Sequence, residues 1–121
     1  LLANKNTIEV TDFGAGSRVF KSNQRKVSAI AKNAGISPKR AQLLFRITNY
    51  FQPDSVLEIG TSLGLASSAL ALGNKNSKVI TLEGCPQTMS IAKNQFHLKL
   101  NLQTEKVKLS NQHLKYKEVQ I

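Results

Sequence analysis

Two carboxylates stand where an apolar run meets a turn. Glu58 follows Val56-Leu57 and precedes Ile59-Gly60-Thr61-Ser62-Leu63-Gly64, and Glu83 ends the run Val79-Ile80-Thr81-Leu82. An apolar strand closing on an acid, a small-residue turn, a helix and a second strand closing on an acid make a grip for a nucleoside. Backbone reaches the ligand where no side chain intervenes, the helix N-terminus offers unpaired N–H groups, and the second carboxylate accepts hydrogen bonds from ribose hydroxyls.

The spacing selects among nucleoside ligands. A dinucleotide turn needs glycine at its first, third and sixth positions, where this chain has Gly60, Ser62 and Leu65. A phosphate loop ends in Gly-Lys-Ser/Thr, and Gly64-Leu65-Ala66 does not supply it. ATP or GTP hydrolysis is not expected on that ground. The remaining pattern, Glu58-x-Gly60-x-x-x-Gly64 with Glu83 beyond it, resembles motif I and the following acidic loop of class I S-adenosylmethionine-dependent methyltransferases. Leu57 to Gly64 together with Leu82-Glu83-Gly84-Cys85-Pro86 is most similar to the small-molecule O-methyltransferase branch, and to its N-terminal portion only.

That resemblance implies S-adenosyl-L-methionine as cofactor and a small-molecule methyl acceptor. Glu58 would accept from the amino group of the methionine moiety or hold the turn. Gly60 and Gly64 would let backbone and ligand approach, and Thr61 and Ser62 would cap the helix or bond the ligand. Glu83 would take both ribose hydroxyls, with Gly84 and Cys85 beside the adenine. Ser62 stands where family members often carry a third glycine, and Ala66 where many carry a serine or threonine, with Ser67 next to it. After the third strand the family has a Gly-Asp/Asn-Ala/Phe type sequence, and this chain has Ser110-Asn111-Gln112-His113. The family's catalytic or metal-binding acid follows a fourth strand, so no catalytic residue is assigned.

Elements that position these residues can be read along the chain. Residues 1–23 form an arm in which Asp12-Phe13-Gly14-Ala15-Gly16-Ser17 imitates a cofactor turn, but the basic, polar continuation from Arg18 to Arg25 lacks a small apolar first helical turn. The segment is read as a flexible arm able to act as a lid, and it looks like the N-terminal arm of a bacterial group of these O-methyltransferases. Residues 24–54 read as a helical pair packing on the sheet. Gln24 to Asn33 puts Val27, Ile30, Ala31 and Ala34 on one face, with Gly35 as a left-handed cap. Ser37 caps a second helix with Pro38 at its first position, and Leu44, Ile47 and Phe51 recur on one face beside Leu43 and Tyr50.

Residues 55–121 read as a truncated S-adenosylmethionine-binding, Rossmann-like α/β domain. Lys78 to Glu83 is a buried parallel strand. Pro86 opens a helix with Met89, Ala92, Phe96 and Leu100 on one face, and Lys106 to Leu109 is a short third strand. Right-handed crossovers order the parallel strands 3-2-1 and leave the first with an open edge, through which a homodimer is expected.

Composition bounds the rest. The chain has 121 residues, 40% of them hydrophobic, whereas a complete seven-strand domain of this class needs roughly 200 residues. The chain is therefore expected to be a fragment without the catalytic half that, when isolated, binds S-adenosylmethionine weakly or not at all and turns over nothing. The formal net charge is +10, carried by the flanks: residues 1–54 hold nine Lys/Arg against three acids, and residues 55–83 two against two. Such flanks suit nucleic acid or another anionic surface, but no aromatic-interleaved stacking stretch accompanies them, and solvated helix faces are favoured over a nucleic-acid-binding or nucleic-acid-modifying module. A catalytically inactive remnant that self-associates is the other alternative. One cysteine excludes an internal disulfide, and no apolar run reaches the ~18 residues of a spanning helix, so a cytoplasmic location without membrane contact is expected. His97 and His113 have no second ligand at metal spacing, and no metal is expected.

Overall fold

A computed structural model describes residues 1–13, 17–99 and 106–111. Its centre is a parallel sheet of β3 (Ser55–Ile59), β4 (Lys78–Glu83) and β5 (Val107–Asn111), ordered β3-β4-β5, with Val56 opposite Val79 and Val79 opposite Val107. This is a Rossmann-like parallel arrangement preceded by two helices, with the expected 3-2-1 order. The third strand runs two residues further than Lys106 to Leu109 suggested. Gly14 to Gly16, Leu100 and the segment from Gln112 to His113 lie outside the described residues.

Side-chain alternation sorts the sheet into two faces. Val56, Val79, Val107 and Leu109 share one face and pack with Ala71 and Leu70 of α3 (Leu65–Gly73) and with Ala92 of α4 (Pro86–Asn94). Phe96 joins them from a π-helical turn, Gln95–Lys99, that continues α4. Leu57 and Ile59 leave the other face and remain 64% and 68% exposed. Among the described residues no strand pairs with the outer edge of β3.

The N-terminal region differs from the sequence reading in three respects. Gln24–Lys26 is a strand, β2, paired antiparallel with β1 (Thr7–Glu9), so the arm is tied to the body by a ribbon and α1 begins only at Val27 (Val27–Asn33). Val10 follows the ribbon into a core with Val27, Ile30, Ala31, Leu63 and Cys85. Gly35 ends α1 without a left-handed backbone. It is glycine for space, since a Cβ there would stand 2.2 Å from the Ala31 carbonyl oxygen and 3.2 Å from Leu65 Cδ1.

Helix α2 (Pro38–Phe51) starts as expected, with Ser37 Oγ accepting from Arg40 N–H at 3.4 Å and Pro38 at the first position. It packs on α3 instead of on the sheet. Thr48 is its one buried residue, its hydroxyl turned back to the Leu44 carbonyl at 2.7 Å. Gly73 allows the approach: a Cβ there would lie 2.5 Å from the Phe45 carbonyl oxygen. Asn49 Nδ2 donates to the Gly73 carbonyl at 3.1 Å and Asn74 Nδ2 to the Pro53 carbonyl at 3.1 Å, closing the contact with polar bonds. The apolar stripe expected to be core is therefore on the surface, with Leu43, Ile47, Tyr50 and Phe51 exposed.

Candidate functional site

The turn after β3 is hooked onto the end of β4. The backbone N–H groups of Gly60 and Thr61 both donate to the Leu82 carbonyl, at 2.9 and 3.0 Å. To reach that carbonyl the chain takes positive φ at Gly60 (91°), Ser62 (50°) and Gly64 (80°). Ser62 holds a conformation that glycine adopts more readily, at the place where a third glycine was noted as missing. Its N–H then points at Glu83, whose Oε2 accepts it at 2.6 Å, while Glu83 Oε1 accepts Cys85 N–H at 2.9 Å. Each carboxylate oxygen thus has one backbone donor and keeps capacity for another, because an ionised carboxylate has about four acceptor positions.

Glu58 is arranged differently. It lies opposite Thr81 in the β3–β4 register, and Glu83 lies two residues beyond Thr81, so all three side chains leave the same face of the sheet. Glu58 Oε2 accepts from Thr81 Oγ1 at 2.6 Å and from Ser67 Oγ of α3, and the buried Thr61 and Thr81 hydroxyls meet at 2.6 Å. The carboxylate is held directly by two hydroxyls, from β4 and α3, with Thr61 behind Thr81. Ser67 is fully buried and Thr61 is turned toward Thr81; neither Thr61 nor Ser62 caps α3, which has no side-chain cap. The cap position belongs to Gly64, whose carbonyl receives Ser68 Oγ at 2.6 Å.

The two turn glycines also differ. At Gly60 a Cβ would meet nothing within 4 Å, so its missing side chain leaves open space. At Gly64 a Cβ would stand 2.8 Å from the Phe96 ring and 3.2 Å from Ala92 Cβ. Gly64 is small because α4 and its π-helical extension press against the turn.

A cavity of about 680 Å³ opens beside Gly60. Ile59, Gly60, Ser62, Leu82, Glu83, Gly84 and Cys85 line it from the strand ends and Thr88 from α4, while the arm and α1 supply Val10 to Phe13, Ser17 to Phe20, Arg25, Ile30, Asn33 and Ala34. Of the residues singled out in the sequence, Gly60, Ser62, Glu83, Gly84 and Cys85 come together here. Glu58, Thr61 and Gly64 do not line this cavity; Thr61 borders a smaller one of about 280 Å³ with Arg40 and Leu65.

Cys85 joins the arm to the site. Its sulfur accepts Thr11 N–H at 3.4 Å and packs among Val10, Val27 and Leu63. Burial raises the thiol pKa, but hydrogen bonds from Thr88 and from the Thr11 and Gln87 backbone outweigh it and leave the thiol more acidic than usual. Among the described residues no group of three or more His, Cys, Asp or Glu side chains could hold a metal.

Sequence reasoning missed Arg25, Phe20 and Thr81, and noted Ser67 only as the neighbour of Ala66. The arm residues carry no local signal, because their neighbourhood arises only when β1 pairs with β2. Thr81 and Ser67 do carry one: each is a hydroxyl inside an otherwise apolar strand or helix, where a buried polar group needs a partner.

No family model matches the sequence, and no curated relative does. Solved structures do. An O-methyltransferase from Bacillus cereus in complex with SAH is 27% identical over 63% of this chain and 34% of its own, with a TM-score of 0.57. A cofactor-bound protein from MTB is 25% identical over 65% of this chain and 36% of its own, at 0.61. TomG from Streptomyces achromogenes, in complex with SAM, is 23% identical over 61% of this chain and 33% of its own, at 0.56. The chain spans about a third of the length of each. With its three parallel strands, an acid in the last two residues of β3 and of β4, and the glycine turn, it has a partial class I methyltransferase fold.

Proposed function

We propose that the chain binds S-adenosyl-L-methionine in the cavity beside Gly60 and belongs to an enzyme that transfers the methyl group to an oxygen of a small molecule. The observation that carries this reading is Glu83: a carboxylate at the C-terminal end of a parallel strand, aimed by two backbone N–H groups, next to a glycine with open space where a Cβ would stand. The site fits the ligand's chemistry, because ribose hydroxyls can donate to the acceptor positions Glu83 retains. When bound, the cofactor supplies an electrophilic methyl group on a sulfonium.

In this reading Gly60 and Ser62 offer backbone to the ligand, and Gly84, Cys85 and Thr88 border the base. Glu58, Thr61 and Gly64 act from beneath, holding the turn in shape through Thr81, Ser67 and Phe96. Residues 1–23 serve as an arm that walls the cavity, 24–54 as a helical brace, and 55–121 as the cofactor-binding part. A hydroxyl acceptor must lose its proton as the methyl arrives. Of the two carboxylates lining the cavity, Asp12 is paired with Arg25 and Glu83 is committed to the cofactor, so the 121-residue chain alone is expected to bind without turning over. The β3 edge, unpaired among the described residues, and the exposed Leu57–Ile59 face make self-association the expected behaviour of the isolated chain. No helix among the described residues is long and apolar enough to cross a membrane.

Calorimetric titration with S-adenosylhomocysteine tests the assignment. Saturable binding that is lost in Glu83→Ala supports it, and the absence of binding to the unmodified chain overturns it.

A further inference from the structure

The arm brings a half-buried cation to the cavity wall. Arg25 lies opposite Ile8 in the β1–β2 ribbon, and only 10% of its side chain is exposed. Its Nε donates to the Ser22 carbonyl at 3.0 Å, and its Nη2 reaches Asp12 Oδ2 at 3.5 Å, the outer limit of a hydrogen bond. The guanidinium lies over the Phe20 ring, 4.8 Å from its centroid, which covers one face and leaves the edge that carries the N–H groups. Among the described residues nothing accepts from Nη1. Held by one backbone carbonyl, one ring face and one long carboxylate contact, the partly exposed guanidinium keeps N–H donors for a further anion. The surrounding lining is apolar, from Val10, Val19, Phe20, Ile30 and Ile59, with Arg18 as a second, exposed cation.

Resting on the methyl-donor assignment, we propose that the acceptor carries a carboxylate, and that Arg25 reads it through the N–H groups that Asp12 leaves unsatisfied, while the apolar lining holds the body of the molecule. Arginine is suited to this task because its planar fork matches a carboxylate bidentately and stays charged at every working pH. The cavity volume is sufficient, since sites for small ligands span roughly 300–1,000 Å³. Asp12 then acts as a placeholder, keeping the guanidinium oriented and competing with the incoming anion. Arg25 is in this sense a specificity determinant, remote from the glycine turn.

The test uses the 121-residue chain and two probes of one shape, para-hydroxybenzoate and neutral para-hydroxybenzamide, titrated with and without S-adenosylhomocysteine. The benzoate is expected to bind about tenfold more tightly or better, as one charge-assisted bidentate contact allows. Arg25→Gln should abolish the preference. Asp12→Asn should strengthen benzoate binding and leave benzamide unchanged; a purely structural Asp12–Arg25 latch would instead loosen the arm and weaken both. Arg25→Gln also removes the contact to the arm, so the Asp12→Asn result stands as the independent measurement. Equal binding of the probes, binding of neither, or a preference that persists in folded Arg25→Gln overturns the proposal. Failure of S-adenosylhomocysteine to bind removes the methyl-donor assignment instead, and a preference seen without the cofactor would leave the anion site standing alone.

Discussion

The Glu83 carboxylate accepts the backbone N–H of Ser62 at 2.6 Å, a bond that joins the end of β4 to the turn after β3. It orients the acid and fixes the left-handed Ser62 in one contact, so ligand affinity and local stability are coupled at this point. Replacing Glu83 by alanine removes the ribose acceptor and leaves the Ser62 and Cys85 N–H groups without it. Hydrogen bonds to a charged group contribute about 1.5–3 kcal/mol, so S-adenosylhomocysteine affinity should fall roughly ten- to a hundredfold or more. Calorimetry reads the affinity and thermal unfolding the accompanying loss of stability.

Thr81 separates support from contact. Thr81→Val takes a donor from Glu58 and a partner from the Thr61 hydroxyl in a buried setting, which should cost about 1–3 kcal/mol in denaturant unfolding. Affinity of the folded protein for S-adenosylhomocysteine should change little, because Thr81 does not line the cavity. A large affinity loss with unchanged stability would contradict this division of roles.

Alanine at the two turn glycines should have unequal consequences. Both sit at positive φ, which costs a side-chain-bearing residue about 1–2 kcal/mol. Gly64→Ala also drives a methyl into the Phe96 ring, adding about 1–3 kcal/mol of overpacking. Phe96→Leu in the Gly64→Ala background should recover part of that second cost, and the unfolding midpoints of the four proteins check it. Gly60→Ala should instead be felt mainly in ligand affinity.

The acidified thiol predicts a pH dependence. Cys85 has a lower pKa folded than unfolded, so its contribution is fully present above the unfolded thiol value of about 8.5 and is lost as pH falls through the folded value. Serine does not ionise in this range. The stability difference between the unmodified chain and Cys85→Ser should therefore widen from neutral pH to pH values above the ordinary thiol pKa, as followed by thermal unfolding at each pH.

Among the described residues nothing pairs with the outer edge of β3, which predicts association. Ile59→Lys places a charge on the exposed sheet face and should shift the chain toward monomer in sedimentation velocity without lowering its unfolding midpoint, because Ile59 is 68% exposed. An unchanged sedimentation profile would exclude this face as the contact.

By itself the sequence determined the parallel α/β class, the strand order, the acid at each strand end and the turn between them. These follow from short-range rules: β-rich apolar runs of strand length, glycine where φ must be positive, proline at a helix start, and right-handed crossovers. The tertiary structure decided what each residue does. Glu58 and Glu83 look alike as strand-end acids, yet one is taken up by Thr81 and Ser67 while the other faces a cavity, because only assembled elements determine which hydroxyls lie beside a carboxylate. Helix α2 has an apolar stripe of correct period, yet it buries Thr48 at Gly73, since the closest approach of two helices depends on the partner's small residues and not on the stripe. The arm shows the limit most directly: Asp12 and Arg25 are thirteen positions apart, and nothing in their spacing brings them together until β1 pairs with β2.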